Sequence, residues 1–514
     1  MHATKAIQGL LVISAGAVAF AGSAAAQKSK DTLRMASNDH YAILSPYDLP
    51  LDEASLVYQQ VYSPFLSYDE YKGKFVPELL KYWKKVNPTT LEFELRHDIT
   101  LHTGKNMNAD DAVASIEYPI HPKTKIRGKG RYRWVKRVEK LSKYKFRIHT
   151  GKPYALDLFS LAYRFYIHDS DVYESLAKKA DYGRVSMASA GPYKVISNDR
   201  NKGYVLKRFE KFNGNKAIRR APIGTIKIIP IGDQQTQVAQ LMTGGLDVLR
   251  NVPRDIANNL ATDPRFKISN TLSKQYTYLT MDKVGRSKNK MFMDKRVRKA
   301  AIMAIDRASI AREIVPGGSS VKVMQAMCFK EGTAGCAYDD EPFKYDPARS
   351  KRLLAEAGFP NGFDLTLFVH TPSKDIAVAI AGQWRRVGIR ASVTPLPIGA
   401  YVKKRGKGEL TAFVGARPTA SFPEATNILG GFFTGGRDYW KEPSIKAAMK
   451  KAFNTADAGE RAQILRPVHN MINREAFILP IATSPWVYAH TRDVKIGKHQ
   501  FQVNRVTISD LSWN

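Results

Sequence analysis

Short runs of alternating apolar and polar residues mark the first part of the chain. They cover residues 31–36, 91–96 and 144–148, and a polar turn at residues 37–40 follows the first run. A period of two places alternate side chains on one face. Each run therefore predicts a strand of the antiparallel type with one buried face.

Helices are predicted where apolar residues recur three and four positions apart behind a capping residue. Asn108 is a predicted N-cap, and the carboxylates of Asp110 and Asp111 suit the positive end of the helix dipole. Asp294 and Asp346 are predicted to begin two further helices in the same way. These start signals place helices between and after the antiparallel segments.

A strand–helix–strand pattern occupies the second half of the chain. Residues 364–369 predict a strand, residues 374–387 a helix that ends at Gly388, and residues 389–393 a second strand. Such a β-α-β unit requires two parallel strands joined by a crossover helix. The pattern as a whole therefore predicts an α/β protein with parallel and antiparallel sheets in different regions.

Composition adds size and charge to this picture. The 514 residues are 44% hydrophobic, and 80 Lys and Arg stand against 47 Asp and Glu, a formal charge of +33. That much apolar material excludes wholesale disorder, and the length suggests roughly two to four domains. The charge leaves nucleic acid, an anionic surface and an acidic ligand open as partners.

The N-terminus indicates the compartment. Residues 1–26 combine Lys5, an apolar run and the small residues Ala24 to Ala26, as a cleavable secretory signal does. The alternative is a membrane anchor, but the run falls short of the roughly 20 residues that span a bilayer. No Cys follows the run, so a lipoprotein is not expected. We expect an exported protein, and export makes nucleic acid an improbable partner.

The two cysteines, Cys328 and Cys336, flank a glycine-containing stretch. In an exported protein they predict a local disulfide that holds this loop. Two free thiols are the alternative. A metal pair would need further ligands, which the neighbouring sequence lacks.

Motifs of enzymes are missing from the chain. It contains no G-x-S-x-G, Walker A, G-x-G-x-x-G or H-E-x-x-H sequence, so no enzyme is predicted. Residues 123–137 interleave basic residues with Tyr132 and Trp134, a pattern that suits phosphate contacts and base stacking. The alternative is a solvated basic loop before a strand.

Five stretches carry a recognisable motif pattern. They read FELR through NADDAV (93–113), AGPYKV (190–195), QVAQLMTGGLD (237–247), DKRVRKA through AIDR (294–307) and YDPARSKRLLAEAGF (345–359). In this order they resemble the extracellular solute-binding proteins of family 5, which include periplasmic oligopeptide- and dipeptide-binding proteins of ABC importers.

The resemblance implies an α/β fold of the periplasmic-binding-protein type II, with two lobes and a third, smaller inserted lobe. A solute would be enclosed between the lobes by hinge closure and delivered to the transmembrane permease subunits of an ABC transporter. A periplasmic monomer without cofactor, metal or nucleic acid is expected. The implied division is a signal peptide (1–26), lobe I (27–62, 187–283 and 485–514), the inserted lobe (63–186) and lobe II (284–484).

The segment that anchors a peptide's amino terminus in this family differs here. Residues 415–418 read Gly-Ala-Arg-Pro, but Thr-Ala-Ser at 419–421 replaces the expected acidic residues. Glu424 is an alternative anchor. An Arg417 without an acidic neighbour favours a carboxylate, phosphate or sugar-acid group on the ligand. The alternative is that Arg417 faces solvent or pairs with Glu424.

Further ligand contacts follow from the same resemblance. The aromatic side chains predicted to line the cleft compete with an alternative, packing in a core. The polar residues after the first strand compete with an ordinary surface turn. The candidates are Tyr276, Tyr278, Phe413, Phe422 and Trp486 among the aromatic residues and Asn38 and His40 among the polar ones.

The predicted function is a periplasmic substrate-binding receptor of an ABC importer, of the peptide type. One alternative keeps the fold but binds a non-peptide anionic solute such as an opine, a sugar acid or a metal chelate. The other alternative is an exported polyanion-binding protein.

Overall fold

A computed structural model describes residues 28, 30–47, 52–70, 72–126, 128–184, 188–271, 273–417, 423–497 and 508–514. For Asp52, Glu53, Ala180 and Arg417 it describes the backbone alone. The predicted signal peptide, residues 1–26, lies outside the described residues and stays a prediction. No helix within the described ranges combines the length and apolarity needed to cross a membrane.

Strands and helices alternate along the described chain. The strands are β1 (Thr32–Ser37), β2 (Leu66–Asp69), β3 (Lys74–Pro77), β4 (Leu80–Asn87), β5 (Thr90–Leu95), β6 (Val135–Lys140), β7 (Lys145–Thr150), β8 (Tyr193–Asp199), β9 (Gly203–Arg208), β10 (Thr225–Pro230), β11 (Val248–Arg250), β12 (Phe266–Thr271), β13 (Tyr276–Met281), β14 (Phe363–His370), β15 (Ile389–Leu396), β16 (Ala412–Arg417), β17 (Ile478–Thr483), β18 (Trp486–Thr491), β19 (Val494–Ile496) and β20 (Leu511–Trp513). The helices are α1 (Asp52–Val61), α2 (Ala109–Ile120), α3 (Asp157–Tyr163), α4 (Ser170–Ser175), α5 (Gln234–Met242), α6 (Arg254–Ala261), α7 (Lys295–Met303), α8 (Arg307–Glu313), α9 (Pro347–Glu356), α10 (Lys374–Arg385), α11 (Ile398–Lys407), α12 (Ala425–Phe433), α13 (Pro443–Asn454) and α14 (Ala458–Arg474).

A seven-stranded mixed sheet, in the order β12-β18-β11-β1-β10-β9-β8, gathers strands from distant parts of the chain. Its first strand, β1, confirms the strand predicted from residues 31–36 and runs parallel to β10 and β11. Leu33 and Met35 are buried in its core, as the alternating pattern requires. The strand β18 closes this sheet from the C-terminal end of the chain, antiparallel to β11 and β12.

A separate antiparallel sheet, in the order β4-β5-β7-β6, confirms the two other alternating runs. The helix α2 packs beside it and begins at the predicted cap. The side chain of Asn108 accepts hydrogen bonds from the backbone N–H groups of Asp110 and Asp111, and the Asp111 carboxylate accepts from Asn108 N at 2.9 Å. This reciprocal capping box satisfies backbone donors that the helix itself leaves unpaired, so the Asp111 carboxylate of the motif is structural.

The five-stranded sheet, in the order β15-β14-β16-β13-β17, contains the predicted β-α-β unit. The strands β14 and β15 are parallel along their whole length, and α10 crosses between them. Phe363, Leu365, Leu367 and Val369 alternate into the core beneath that helix. The mixed α/β fold of the periplasmic-binding-protein type is therefore as predicted.

Sheet membership changes at two chain crossings. The chain leaves the seven-stranded sheet at Thr271 and enters the five-stranded sheet at Tyr276, and it returns between Thr483 and Trp486. The return lies at the predicted 484/485 boundary, whereas the first change precedes the predicted 283/284 boundary because β13 pairs with β16 and β17. The lobe boundaries as a set remain a proposal.

The two rings of the basic stretch 123–137 pack against other aromatic rings, with Tyr132 buried and Trp134 half-buried. Tyr132 is 5% exposed and packs against Tyr47 and Phe165, and Trp134 stacks on Tyr154 with ring centroids 5.2 Å apart. Rings held in this way have no free face for a nucleic-acid base. The stacking half of the polyanion hypothesis is therefore wrong.

The disulfide Cys328–Cys336 is present, with the two Cα atoms 6.0 Å apart. Replacing both cysteines by serine is expected to lower the free energy of unfolding by about 2–3 kcal/mol, because the bridge restricts a short loop of the unfolded chain. Urea unfolding of the variant and of the reduced wild type measures this. The variant and the reduced wild type should have the same free energy of unfolding. A urea midpoint of the variant equal to that of the oxidised wild type would contradict the expectation.

Candidate functional site

The two chain crossings bring the same edges of the two large sheets together. At the first crossing β12 ends at Thr271 opposite Trp486, and β13 begins at Tyr276 opposite Arg417, the last residue of β16. The carboxyl ends of β1, β10 and β11 therefore face those of β14, β15 and β16 across short connections. Ligands of open α/β sheets bind in the crevice outside the carboxyl ends of the strands. The cleft between these edges is the candidate site.

Three predicted residues lie at the edge of the seven-stranded sheet. Asn38 is exposed directly after β1, and its Oδ1 accepts a hydrogen bond from Gln237 at 2.9 Å. His40 stacks on Tyr204, and its Nε2 lies 2.7 Å from the Asn198 amide oxygen. The structure brings both to this edge together with the half-buried Trp486.

Three of the predicted aromatic residues are buried in a core and not exposed to the cleft. Tyr276, Tyr278 and Phe413 are at most 2% exposed and pack inside the lobe built on the five-stranded sheet. The Tyr276 hydroxyl donates to the Met327 carbonyl at 2.8 Å. The prediction that Tyr276 and Phe413 line the cleft is therefore wrong, and the alternative of core packing is correct. The physical reason is that helices cover both faces of this sheet, so aromatic strand residues are buried on either side.

The structure describes the backbone of Arg417 but not its side chain, and Phe422 lies outside the described residues. Arg417 ends β16 at the carboxyl edge, where its predicted role requires it, but its side chain is outside the described part of the structure. Phe422 and the Thr-Ala-Ser segment before it lie outside the described residues altogether. Their predicted contacts with a ligand remain proposals.

Glu424 is a structural residue and not an ammonium anchor. Its carboxylate is fully buried and accepts hydrogen bonds from Arg461 Nε at 3.0 Å, Thr426 Oγ1 at 2.8 Å and Asn427 N at 2.8 Å. Burial raises the pKa of Glu424, and the Arg461 guanidinium opposes that shift. The residue caps α12 and forms a buried ion pair, so this carboxylate is not free to receive a ligand's amino group.

A group of basic side chains that sequence reasoning missed lies where the inserted lobe meets the lobe of the five-stranded sheet. We call Arg131, Arg405 and Arg437 the arginine cluster. Partial desolvation lowers the pKa of Arg437, and the guanidinium groups of Arg405 and Arg131 lower it further. Arg405 comes from α11, Arg437 from the turn after α12, and Arg131 from the turn before β6. These three positions are too far apart in sequence for any motif to connect them.

The arginine cluster is not neutralised by the protein. Among the described residues no carboxylate lies within ion-pair distance of its three members. Arg405 Nη2 donates to the Gly431 carbonyl at 3.1 Å and its guanidinium lies over the Phe432 ring, but its buried Nε has no described partner. Nearby, burial lowers the pKa of Arg164 to about 10, which Tyr154 opposes and Arg131 reinforces. Arg405 is buried whereas Arg131 and Arg437 are exposed, and guanidinium groups without a described carboxylate partner favour an anion brought by a ligand.

Two tyrosine hydroxyl groups lie between the arginine cluster and the edge of the five-stranded sheet at which the parallel strands end. The Tyr278 and Tyr401 hydroxyls are 3.4 Å apart beside Gly415, where a Cβ would lie 2.5 Å from each hydroxyl oxygen. His370 ends β14 at this edge, and its ring centroid is 5.9 Å from that of Tyr401. Burial lowers the pKa of His370, because desolvation disfavours the charged ring. His370 was open to prediction, since it follows directly on the predicted strand 364–369.

An apolar surface lies on the same helix as Tyr401. Ile398 and Val402 are 58% and 47% exposed, one turn apart on α11. Two aliphatic side chains exposed on the helix that carries Arg405 suit a ligand that is apolar in one part and anionic in another.

Two α/β lobes joined by short crossings around such a cleft define a hinge-closing binding protein. The profile of the bacterial extracellular solute-binding proteins of family 5 (middle region) matches residues 74–440. The chain belongs to this family, and it is a substrate-binding receptor of an ABC importer.

Known proteins resemble the chain over most of its length. It is 25% identical to heme-binding protein A of Haemophilus influenzae over 463 residues, covering 83% of this chain and 82% of that protein. It is 23% identical to the glutathione-binding protein GsiB of Escherichia coli, covering 91% of each. The structure of NikA from Brucella suis in complex with Fe(III)-EDTA matches with a TM-score of 0.81 at 18% identity, covering 94% of this chain and all of that one.

Proposed function

We propose that the receptor encloses a small peptide-type solute that carries at least two carboxylates and delivers it to the transmembrane permease of its importer. In this proposal the protein is exported to the periplasm, acts as a monomer and performs no covalent chemistry. Closure of the lobes brings the ligand's anionic groups against the arginine cluster and its apolar part against α11.

The observation that carries this proposal is the arginine cluster without a described acidic partner. Each guanidinium donates paired hydrogen bonds that match a carboxylate, and such charge-assisted bonds contribute about 1.5–3 kcal/mol each. The mutual repulsion of Arg131, Arg405 and Arg437 disfavours the empty closed state. A polycarboxylate relieves that repulsion, and so it stabilises the closed state more than a neutral solute does.

The ligands for which the relatives are named agree with this chemistry. Heme, glutathione and Fe(III)-EDTA all carry several carboxylates, and glutathione is also a peptide. The buried ion pair of Glu424 with Arg461 removes one acidic group that a peptide's amino terminus would otherwise use. A ligand held mainly through its carboxylates agrees with the ligands of the relatives and does not need the acidic group that Arg461 occupies.

A second candidate is a non-peptide anion such as a metal chelate, one of the alternatives left open by the sequence. The exposed pair Ile398 and Val402 on the helix of Arg405 favours it, because a chelate or ring system presents a broader apolar surface than a short peptide.

A thermal-shift panel tests both candidates. We expect glutathione to raise the melting temperature, by an amount equivalent to about 2.7 kcal/mol at a hundredfold excess over its dissociation constant. Its dimethyl ester should have much less effect, and added salt should reduce the shift by screening. A rise in melting temperature with Fe(III)-EDTA but not with glutathione would support the second candidate. An equal shift with a neutral tripeptide would contradict a carboxylate-reading site.

A further inference from the structure

Glu70 is a buried carboxylate on which three separate parts of the chain converge. It follows β2 in the inserted lobe, is 1% exposed, and accepts a hydrogen bond from the Tyr163 hydroxyl at 3.0 Å. Lys274, in the crossing between the two large sheets, places its Nζ 3.2 Å from the other carboxylate oxygen. The same Nζ donates to the carbonyl of Gly332, which lies in the disulfide-bridged loop.

The loop backbone packs directly on this ion pair. Gly332 has φ +68°, and a Cβ placed on it would lie 2.3 Å from both the Glu70 carbonyl oxygen and Lys274 Nζ. The disulfide ties down the two ends of the loop. Ala334, two residues on, exchanges backbone hydrogen bonds of 2.9 Å with residues 423 and 425. The loop is thus anchored to one lobe and shaped to receive Glu70 from another.

An apolar contact flanks the ion pair and joins the same two lobes. Tyr68, Leu156 and Phe159 of the inserted lobe pack with Phe453 at the end of α13 and with Ala334. The backbone N–H of Ala155 donates to the Phe453 carbonyl at 2.9 Å. Both contacts exist only while the inserted lobe rests on the lobe of the five-stranded sheet.

We propose that Glu70, Lys274 and the disulfide-bridged loop 328–336 form a clasp that sets the equilibrium between the closed and open lobes and thereby the ease of ligand release. A buried ion pair is stabilised only where its geometry and hydrogen bonds are complete. Glu70, Lys274 and the loop come from three separate segments of the chain. All their contacts therefore form in only one arrangement of the lobes, and in the other arrangements water solvates the charged groups. The clasp rests on the lobe closure of the proposed function, but not on the identity of the ligand.

Distance measurements without ligand test the clasp. Spin labels attached through thioethers at Glu117→Cys and Lys446→Cys, exposed positions on α2 and α13, report the separation of the two lobes. Both native cysteines are in the disulfide, so they take up no label. We expect Glu70→Gln to shift the closed-to-open ratio toward open by at least about tenfold, because it leaves Lys274 buried without a counter-charge.

Two matched controls isolate the clasp. Glu331→Gln removes the same charge from an exposed position in the same loop and should leave the distances unchanged. Gly332→Ala tests the steric contact without a charge change, and Gly318→Ala is its control, since Gly318 also has a positive φ (+53°) but nothing within 4 Å of an added Cβ. Gly332→Ala should open the lobes and Gly318→Ala should not.

The outcomes separate this proposal from the ligand proposal. Unchanged distances in folded Glu70→Gln and Gly332→Ala proteins would overturn the clasp, whatever the thermal-shift panel shows. If Glu70→Gln does not fold, the pair Gly332→Ala and Gly318→Ala decides alone. Equal opening by a clasp variant and its control would also overturn the clasp.

Discussion

Replacing Glu424 by glutamine is expected to lower the free energy of unfolding by about 3–5 kcal/mol, because it leaves the buried Arg461 guanidinium without its counter-charge. The two side chains are 0% and 2% exposed, so water cannot substitute for the lost carboxylate. The N-cap of α12 is weakened by the same change. Urea unfolding of the variant and of wild type measures the loss, provided that the free energy of unfolding depends on urea concentration with the same slope in both proteins.

The control for Glu424 is a surface glutamate in an ion pair. Glu313→Gln removes the partner of Arg312, where both side chains are more than half exposed, and should cost at most about 1 kcal/mol. The folded Glu424→Gln protein should also keep the ligand selectivity of wild type. A stable variant with altered preference for peptide amino groups would restore Glu424 as the ammonium anchor and contradict its structural role.

Substituting Arg131 and Arg437 together by glutamine is expected to weaken binding of a dicarboxylate ligand by about 100-fold or more. Each lost charge-assisted hydrogen bond costs about 1.5–3 kcal/mol, and a factor of ten corresponds to about 1.4 kcal/mol. The melting temperature of the empty protein should stay level or rise, because the two guanidinium groups and Arg405 repel one another. Calorimetric titration with glutathione, alongside the melting temperature, separates these two effects.

The matched control is Arg385→Gln with Arg386→Gln. These exposed residues at the end of α10 change the net charge equally but lie outside the arginine cluster. If the control weakens binding as strongly, the effect comes from the overall charge of +33 and not from the cluster. If neither pair changes affinity, the arginine cluster is not part of the binding site.

Local elements of this protein were open to prediction because short-range rules decide them. The cap at Asn108 depends on residues within one helical turn, and the parallel strands around α10 follow from a crossover helix between two apolar runs. The disulfide was predictable because its cysteines are eight residues apart in a chain predicted to be exported. Family membership followed from motifs that are themselves mostly caps and helix faces.

Contacts between distant segments were not open to prediction in this way. The hydrophobic pattern assigned Tyr276 and Phe413 to a strand but did not distinguish the core of a lobe from the wall of a cleft, since an apolar ring is favourable in both. Arg131, Arg405 and Arg437 look like ordinary basic residues in their own segments. Packing within one lobe brings Arg405 near Arg437, and packing of the inserted lobe on it adds Arg131.

By itself, the sequence determined the secondary structure, the α/β class, the disulfide and the family. The tertiary structure decided which side chains are buried and that Glu424 pairs with Arg461. It also decided that Arg131 and Arg405 are near enough to lower the pKa of Arg437. The physical reason is the sequence distance over which the two kinds of interaction act. Propensity, capping and periodicity act over a few residues, whereas burial and the balance of charge at a site are set by neighbours that are tens to hundreds of residues away in the sequence.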